Sequence, residues 1–98
     1  MDAVLEKLMR MSDKELRRAR RKHPQFVGDA GFREGNWPAV LARYRKKFPL
    51  SVCEDEVFEE ECLEFLADIS SGRLEEAFVE AAQVVAVVVR MLTGGAGR

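Results

Sequence analysis

The amino-acid sequence predicts an all-α fold of four or five helices in a single domain of 98 residues. Apolar residues recur at intervals of three and four along most of the chain, which is the spacing of one helix face. Capping residues, prolines and glycines divide the chain where helices are expected to begin and end. No segment alternates apolar and polar residues for long enough to indicate a β-strand. The β-prone run 84–89 lies inside a longer helical pattern, which favours a buried helix.

The N-terminal stretch, from about Ala3 to the residue before Pro24, is predicted to be helical. Ser12 and Glu15 have the spacing of a capping box, which indicates a helix start at Ser12. The stretch is therefore either two helices or one helix bent at Ser12. Its second part is rich in basic residues and poor in apolar ones.

A loop and a further helix follow. Residues 24–36 contain several glycines and are predicted to form a loop, pinned by three apolar residues: Phe26, Val27 and Phe32. Asn36 is a good N-cap, and Pro38 suits the first turn of a helix because its missing N–H costs nothing there. This helix is expected to run to about Lys47 and to stop before Pro49.

The second half is predicted to form a helical hairpin. Ser51 and Glu54 have the spacing of a second capping box, so a long helix is expected to open there. Its apolar stripe consists of six residues: Val57, Phe58, Cys62, Phe65, Leu66 and Ile69. Gly72 can close this helix as a left-handed C-cap. The last helix is expected over Leu74–Leu92 and ends at Gly94.

The last helix is almost wholly apolar from Val79 to Leu92, and a helix that is apolar on all faces must be covered on all faces. Four or five short helices of one chain would cover it poorly. We therefore expect a homodimer or higher oligomer in which this helix is central. Within the domain we distinguish a basic helical half (3–50), an acidic helical hairpin (51–93) and a flexible tail (94–98).

Charge is divided unevenly between the two halves. Residues 1–50 carry 13 basic and 6 acidic side chains, a balance of +7, whereas residues 51–98 carry 3 basic and 11 acidic ones, a balance of −8. Two explanations stay open. The halves pair with each other, within a chain or across a dimer, or each half has its own partner, phosphate groups for the basic half and a metal for the acidic half.

Several classes of protein do not fit the composition. There is no run of about eighteen uncharged apolar residues, so no membrane span or membrane partner is expected. The first residues lack the layout of a signal peptide. Cys53 and Cys62 lie nine apart, on opposite sides of one predicted helix, so free thiols and a cytoplasmic location are expected. A zinc site is not expected, since the chain has one histidine and no CxxC.

Acidic residues at helical spacing form the most informative pattern in the chain. Glu61 and Glu64 are three apart, and so are Glu80 and Gln83, which places each pair on one helix face. Glu80 lies in a helix that is otherwise almost wholly apolar from Val79 to Leu92, where an unpaired charge would be costly. A hard cation such as Mg²⁺, bound through oxygen ligands, would account for these side chains.

This pattern resembles the helical hairpin of the all-α nucleoside triphosphate pyrophosphohydrolases, which include MazG and the phosphoribosyl-ATP pyrophosphohydrolases. The resemblance covers about residues 57–92 and rests on Glu-Glu-x-x-Glu at 60–64, a short turn, and Glu-x-x-Gln at 80–83. It implies a MazG-like bundle completed by oligomerisation. It also implies Mg²⁺-dependent hydrolysis of nucleoside triphosphates to monophosphate and pyrophosphate.

The resemblance further implies roles for individual residues. Glu61, Glu64 and Glu80 would be metal ligands, with Glu60 as a flanking acid. Gln83 stands where the family has Asp, so the fourth ligand would be a neutral carbonyl oxygen. With Gln83 in this position, the resemblance implies either an active pyrophosphohydrolase or a degenerate relative that binds nucleotide without efficient turnover.

Structural explanations compete with the metal site. Glutamates at this spacing are also typical of a solvated helix face. Glu80 can instead pair with an arginine of the basic half, and Gln83 can be an ordinary hydrogen-bonding residue between helices.

Basic residues of the first half are candidates for binding phosphate. They comprise Arg17, Arg21, Arg43 and Lys47. The alternative is a solvated surface that pairs with the acidic half. Tyr44, among these basic residues, can stack on a base, but more often such a tyrosine packs beside its helix with its hydroxyl in water. Trp37 is expected to anchor the glycine-rich loop, and His23 to lie at the surface.

Three functions follow from these observations. The leading hypothesis is the nucleotide pyrophosphohydrolase or its degenerate relative, with Mg²⁺ as cofactor. The second is a non-catalytic helical module for protein interaction or oligomerisation. The third, which we favour least, is a small nucleic-acid-binding protein that uses the basic half.

Overall fold

The computed structural model describes residues 1–24, 35–50 and 53–94, and over these residues the fold is all-α, as predicted. Four helices are present there: α1 (Ala3–Lys22), α2 (Trp37–Lys47), α3 (Glu54–Ser70) and α4 (Leu74–Leu92). The predicted loop core with Phe26, Val27 and Phe32, the cap residue Ser51 and most of the predicted tail lie outside the described residues.

Helix α1 is continuous from Ala3 to Lys22, so the prediction of a helix start at Ser12 is wrong and the stretch is one helix, not two. The N-cap is Asp2, whose carboxylate accepts hydrogen bonds from two backbone N–H groups at 2.8 and 3.0 Å. Ser12 lies mid-helix, and Glu15 pairs with Arg18 at 2.8 Å instead of reaching back to a cap. Residues with capping-box spacing therefore do not mark a helix start when the turn before them is already helical.

Helix α2 has the predicted bounds and the predicted cap. Asn36 accepts a hydrogen bond from the backbone N–H of Ala39 at 3.2 Å, and Pro38 lies in the first turn. The helix ends before Phe48, whose ring lies 4.9 Å from that of Tyr44.

Helix α3 begins later than the second capping box predicts. Its first residue is Glu54, and Cys53 occupies the N-cap position without a side-chain hydrogen bond. Three acidic residues fill the first turn, where the helix dipole favours negative charge. A capping box needs its acidic residue at the third helical position. Glu54 is the first helical residue, so it does not form a capping box.

The turn between α3 and α4 is a Schellman motif, and it confirms the prediction of a left-handed cap at Gly72. The φ angle of Gly72 is +75°. Arg73 N–H donates to the carbonyl of Asp68 at 3.0 Å, and Gly72 N–H donates to that of Ile69 at 3.3 Å. The turn sends α4 back along α3, with which it makes the main packing of the domain.

The core of the domain is thin. Helix α2 packs on α3, while α1 touches α4 over a short stretch only. Three apolar side chains of the described residues are buried: Leu41, Ala67 and Ala77. The six residues of the predicted apolar stripe on α3 are half-buried rather than enclosed. Among the described residues, no helix has the length and apolarity needed to cross a membrane.

Candidate metal centre

Three carboxylates from two helices meet beside the α3–α4 hairpin. Glu61 and Glu64 come from α3 and Glu80 comes from α4, and each offers an oxygen within 4.8 Å of the other two. All three side chains are half-buried. Glu60, the predicted flanking acid, is not part of this group. We call Glu61, Glu64, Glu80 and Gln83 together the hairpin cluster.

The sequence around the turn explains why these residues meet. Glu64 lies eight residues before Gly72, and Glu80 lies eight residues after it. Glu61 and Gln83 are likewise each eleven residues from Gly72. Because α3 and α4 run antiparallel from this turn, residues at equal distances from it come to the same level of the hairpin. The two pairs therefore form two adjacent rungs.

Gln83 completes the cluster as a hydrogen-bond donor. With its side-chain nitrogen turned toward the carboxylates, it donates to Glu61 Oε2 and to Glu80 Oε2, each at 2.8 Å. A side-chain amide has two N–H donors and one carbonyl acceptor. Gln83 can therefore bridge two carboxylates in the metal-free protein and, after rotation, present its carbonyl oxygen to a cation.

Glu80 holds a proton near neutral pH. Its hydrogen bond with Glu64, burial and the negative charges of Glu64 and Glu61 together raise the pKa of Glu80 to about 8. Three carboxylates this close cannot all ionise without a counter-charge, so one of them keeps its proton.

Glu64 is the ionised partner of Glu80. Burial acts to raise the pKa of Glu64, but the hydrogen bonds from Glu80 and Arg45 outweigh it and lower that pKa below the usual value. Burial and the neighbouring Glu64 raise the pKa of Glu61. The proton shared between Glu64 and Glu80 and the charge of Arg45 thus stand in for a cation.

An open cavity of about 380 Å³ adjoins the cluster between α2, α3 and α4. Two arginines line it. Arg45 of α2 donates to Glu64 at 2.6 Å, and Arg73, in the turn, pairs with Asp68 at 2.8 Å. Both arginine side chains are about half exposed, and a guanidinium has five N–H donors, so each has donors for a bound anion beyond its ion pair.

The predicted phosphate-binding residues do not line this cavity. Among the described residues around it, none is Arg17, Arg21, Arg43 or Lys47. Arg17 pairs with Asp13 on its own helix at 2.9 Å, and the Lys47 ammonium lies 5.4 Å from the Phe48 ring centre. These positions fit the alternative of a solvated surface better than that of a phosphate site at the cluster.

Sequence reasoning missed the two arginines that do line the cavity. Arg45 was one of several basic residues on α2, and periodicity alone does not show which of them faces α3. A usable signal existed for Asp68, which lies four residues after Glu64 and extends the same acidic face. Arg73 follows the predicted cap glycine, a position from which its side chain reaches back to α3.

The donor set fits a hard divalent cation. Every candidate ligand atom is an oxygen, and no sulfur or imidazole belongs to the group. Opposite oxygens around Mg²⁺ lie about 4.2 Å apart, and around Ca²⁺ about 5 Å apart. The spread of the three carboxylates is of this size, so one ion can meet all of them with small side-chain movements.

The structure also shows the surroundings of the tyrosine, the two cysteines and the histidine that the sequence analysis considered. Tyr44 is half-buried, and its hydroxyl donates to the carbonyl of Glu56 at 2.9 Å, so the expectation of a hydroxyl in water is wrong. Burial raises the pKa of the Cys62 thiol, which makes it a poor nucleophile. Cys53 and Cys62 are both free, as expected. His23 is exposed, also as expected.

Comparison of the chain with protein-family models, with curated proteins and with solved structures finds no match. The helical fold by itself does not indicate a function, since such a fold is compatible with many functions.

Proposed function

We propose that this chain binds Mg²⁺ at the hairpin cluster and hydrolyses nucleoside triphosphates to monophosphate and pyrophosphate. The observation that carries the proposal is the meeting of Glu61, Glu64 and Glu80 within 4.8 Å, with one of them protonated near neutral pH. A bound cation would take over from the Glu80 proton and the Arg45 charge in neutralising the cluster. The resemblance of residues 57–92 to the pyrophosphohydrolase hairpin supports the choice of substrate.

Each residue has a part in this proposal. Glu61, Glu64 and Glu80 hold the ion, and Glu80 gives up its proton when the ion binds. Gln83 turns its carbonyl oxygen toward the ion as a weak fourth ligand. When bound, Mg²⁺ supplies a positive centre that holds phosphate oxygens and lowers the pKa of bound water.

The arginines of the cavity are suited to contact the phosphates. Arg45 shares Glu64 with the proposed ion, so ion binding weakens its ion pair and frees donors for an anion. Arg73 also lines the cavity and pairs with Asp68 at 2.8 Å. Guanidinium groups suit this contact because their fork of donors matches phosphate oxygens.

The test is a direct assay with purified protein. The chain is incubated with each of the common nucleoside triphosphates and Mg²⁺, and released pyrophosphate and monophosphate are measured. We expect both products in equal amounts, and we expect their loss in Glu61→Gln, Glu64→Gln and Glu80→Gln. The matched control is Glu76→Gln, one turn before Glu80 on the same helix and exposed, which should keep activity.

Metal binding is measured separately by calorimetric titration with Mg²⁺ and Mn²⁺. Metal binding that is lost in the cluster variants, without any pyrophosphate release, would identify the degenerate nucleotide-binding relative. Unchanged metal and nucleotide binding in Glu61→Gln combined with Glu64→Gln would end the proposal in both forms.

A second candidate function is the non-catalytic interaction module. Large apolar side chains on α4 are exposed, among them Phe78 at 66% and Leu92 at 61%, which is typical of a surface that binds another protein. If this is the function, a chelator of divalent cations should leave the binding of the partner protein unchanged. The same chelator should abolish activity if the chain is a pyrophosphohydrolase.

A further inference from the structure

An exposed apolar seam runs along α4 on the side away from the hairpin cluster. It is formed by six residues with heptad spacing: Leu74, Phe78, Ala81, Val85, Val88 and Leu92. Four of these six are between 40% and 66% exposed. Alternating steps of three and four residues keep such a seam on one face over the whole helix.

The seam is symmetric about its centre, residue 83. Leu74 and Leu92 are each nine residues from the centre, Phe78 and Val88 each five, and Ala81 and Val85 each two. In an antiparallel pair of identical helices, residues at equal distances from the centre face each other. A second α4 would therefore place leucine against leucine at the ends and the small Ala81 against Val85 in the middle.

The residues beside the seam allow two copies to meet. The flanking heptad positions on α4 are occupied by Glu75, Ala82 and Val89 on one side and by Ala77, Val84 and Met91 on the other. Glu75 is the one charge among them, and it lies at the end of the helix, far from the centre. Two copies therefore meet without like charges at the centre of the interface.

The groove next to the seam widens the apolar surface. A cavity of about 450 Å³ is lined by residues of α3 and α4 that include two seam positions: Cys62, Phe65, Leu66, Ala81, Val84 and Val85. The apolar surface thus extends from α4 onto the neighbouring side of α3, and a second helix hairpin can cover both.

We propose that α4 of a second copy of this chain packs antiparallel on the seam, forming a two-fold dimer. The occupant is a second copy because the seam is self-complementary under a two-fold rotation. Glu80 lies about 140° around α4 from Val85, so the hairpin cluster stays outside this interface.

Sedimentation equilibrium of the full chain over a range of concentrations tests the proposal. We expect a dimer, and we expect Val85→Glu to weaken it by at least about 100-fold, because each copy would bury an unpaired carboxylate near the axis. The matched control is Val79→Glu, the same substitution on the same helix at an exposed position off the seam, which should leave the dimer intact. A monomeric wild-type chain, or equal effects of the two substitutions, would overturn the proposal.

The orientation is tested by cross-linking in a chain that carries Cys53→Ser and Cys62→Ser. Ala81→Cys and Val85→Cys are introduced into separate preparations, which are then mixed and oxidised. The antiparallel seam predicts disulfides mainly between Ala81→Cys and Val85→Cys chains, whereas parallel pairing would join like chains. This measurement also decides the matter if Val85→Glu fails to fold, since both cysteine substitutions are small. Metal binding by the Val85→Glu variant separates this proposal from the proposed function, because the cluster should still bind the ion when the dimer is lost.

Discussion

A hydrogen bond with Glu64, burial and neighbouring negative charges together raise the pKa of Glu80. Glu80 lies in the second turn of α4 and faces Glu64 and Glu61 across the hairpin. The proton that it keeps removes one negative charge from the cluster, and Arg45 offsets another. A cation that binds here must displace that proton, so metal binding and protonation compete.

This competition gives a pH dependence to folding. The pKa of Glu80 is raised to about 8 in the folded chain, so its contribution to stability is full below the unfolded value and falls as pH rises through the folded value. Without metal, we expect the urea midpoint to decline between about pH 4.5 and about pH 8 and to level off above that. Glu80→Gln should remove most of this decline, and Glu76→Gln should keep it. Parallel declines in all three proteins would contradict the assignment of the proton to Glu80.

The same competition should release protons on metal binding. With a pKa of about 8, Glu80 is mostly protonated at neutral pH. We expect titration with Mg²⁺ near pH 7 to release about one proton for each ion bound, and almost none above about pH 9. The release is measured by calorimetry in buffers of different ionisation enthalpy. The same titration of Glu80→Gln should release far fewer protons, and undiminished release from that variant would place the proton elsewhere.

Gln83 sets the balance between the metal-free and the metal-bound cluster. Its amide donates to Glu61 and Glu80, so it stabilises the cluster when no cation is present. Gln83→Glu keeps the shape and replaces these donors by a fourth charge. We expect it to lower stability without metal and to raise Mg²⁺ affinity by about tenfold, or roughly 1.4 kcal/mol.

The control for this substitution is Gln83→Met, which removes both amide functions without adding charge. It should lower stability without metal and bring no gain in affinity. If Gln83→Glu binds Mg²⁺ no better than the wild-type chain does, Gln83 does not face the bound ion.

At the scale of the helices, the turn at Gly72 decides whether the cluster forms. The turn fixes the register in which α3 and α4 run side by side, and the two rungs of the cluster depend on that register. A shift of one residue would turn Glu80 by about 100° away from Glu64. The left-handed backbone of Gly72 and the two hydrogen bonds of the Schellman motif hold the register.

Substitution of Gly72 should therefore affect both stability and the cluster. A Cβ at this position meets no atom within 4 Å, so the cost of Gly72→Ala is conformational strain at φ +75°, about 1 kcal/mol. Gly72→Asn should cost less, because asparagine tolerates the left-handed region better. The comparison is made by urea unfolding together with Mg²⁺ titration. Equal losses for alanine and asparagine would show that strain is not the cause.

The helices and their ends could be predicted from sequence where one residue type has one physical use. Asn36 before Pro38 marks the start of α2, and Gly72 after Ser71 marks the end of α3. Capping boxes were less reliable. Ser12 failed because the preceding residues are themselves good helix formers capped by Asp2.

The carboxylates of the cluster were predictable for a similar reason. Their spacing on each helix and their equal distances from the turn can both be read from the sequence. The contact of Arg45 with Glu64 could not be predicted. The four basic residues of α2 are alike in sequence, and only the packing of α2 on α3 determines which of them reaches Glu64. The small number of buried side chains could not be predicted either. Periodicity shows which face of a helix is apolar, but it does not show whether another element covers that face.

At the scale of the whole molecule, the described helices leave much apolar surface uncovered. Helix α1 has no buried residue, and the apolar seam of α4 faces outward. The hydrophobic burial that would normally stabilise a domain of this size is therefore incomplete in one copy.

A dimer on the seam would make stability depend on protein concentration. Since the proposed interface supplies burial that the single chain lacks, dissociation and unfolding should be coupled. We expect the thermal midpoint of the wild-type chain to rise by several degrees when its concentration is raised about 100-fold. Circular dichroism at several path lengths measures this at constant signal. The midpoint of Val79→Glu should rise in the same way, whereas that of Val85→Glu should be lower and independent of concentration. A wild-type midpoint that stays constant over this range would mean that the single chain is stable with its seam exposed.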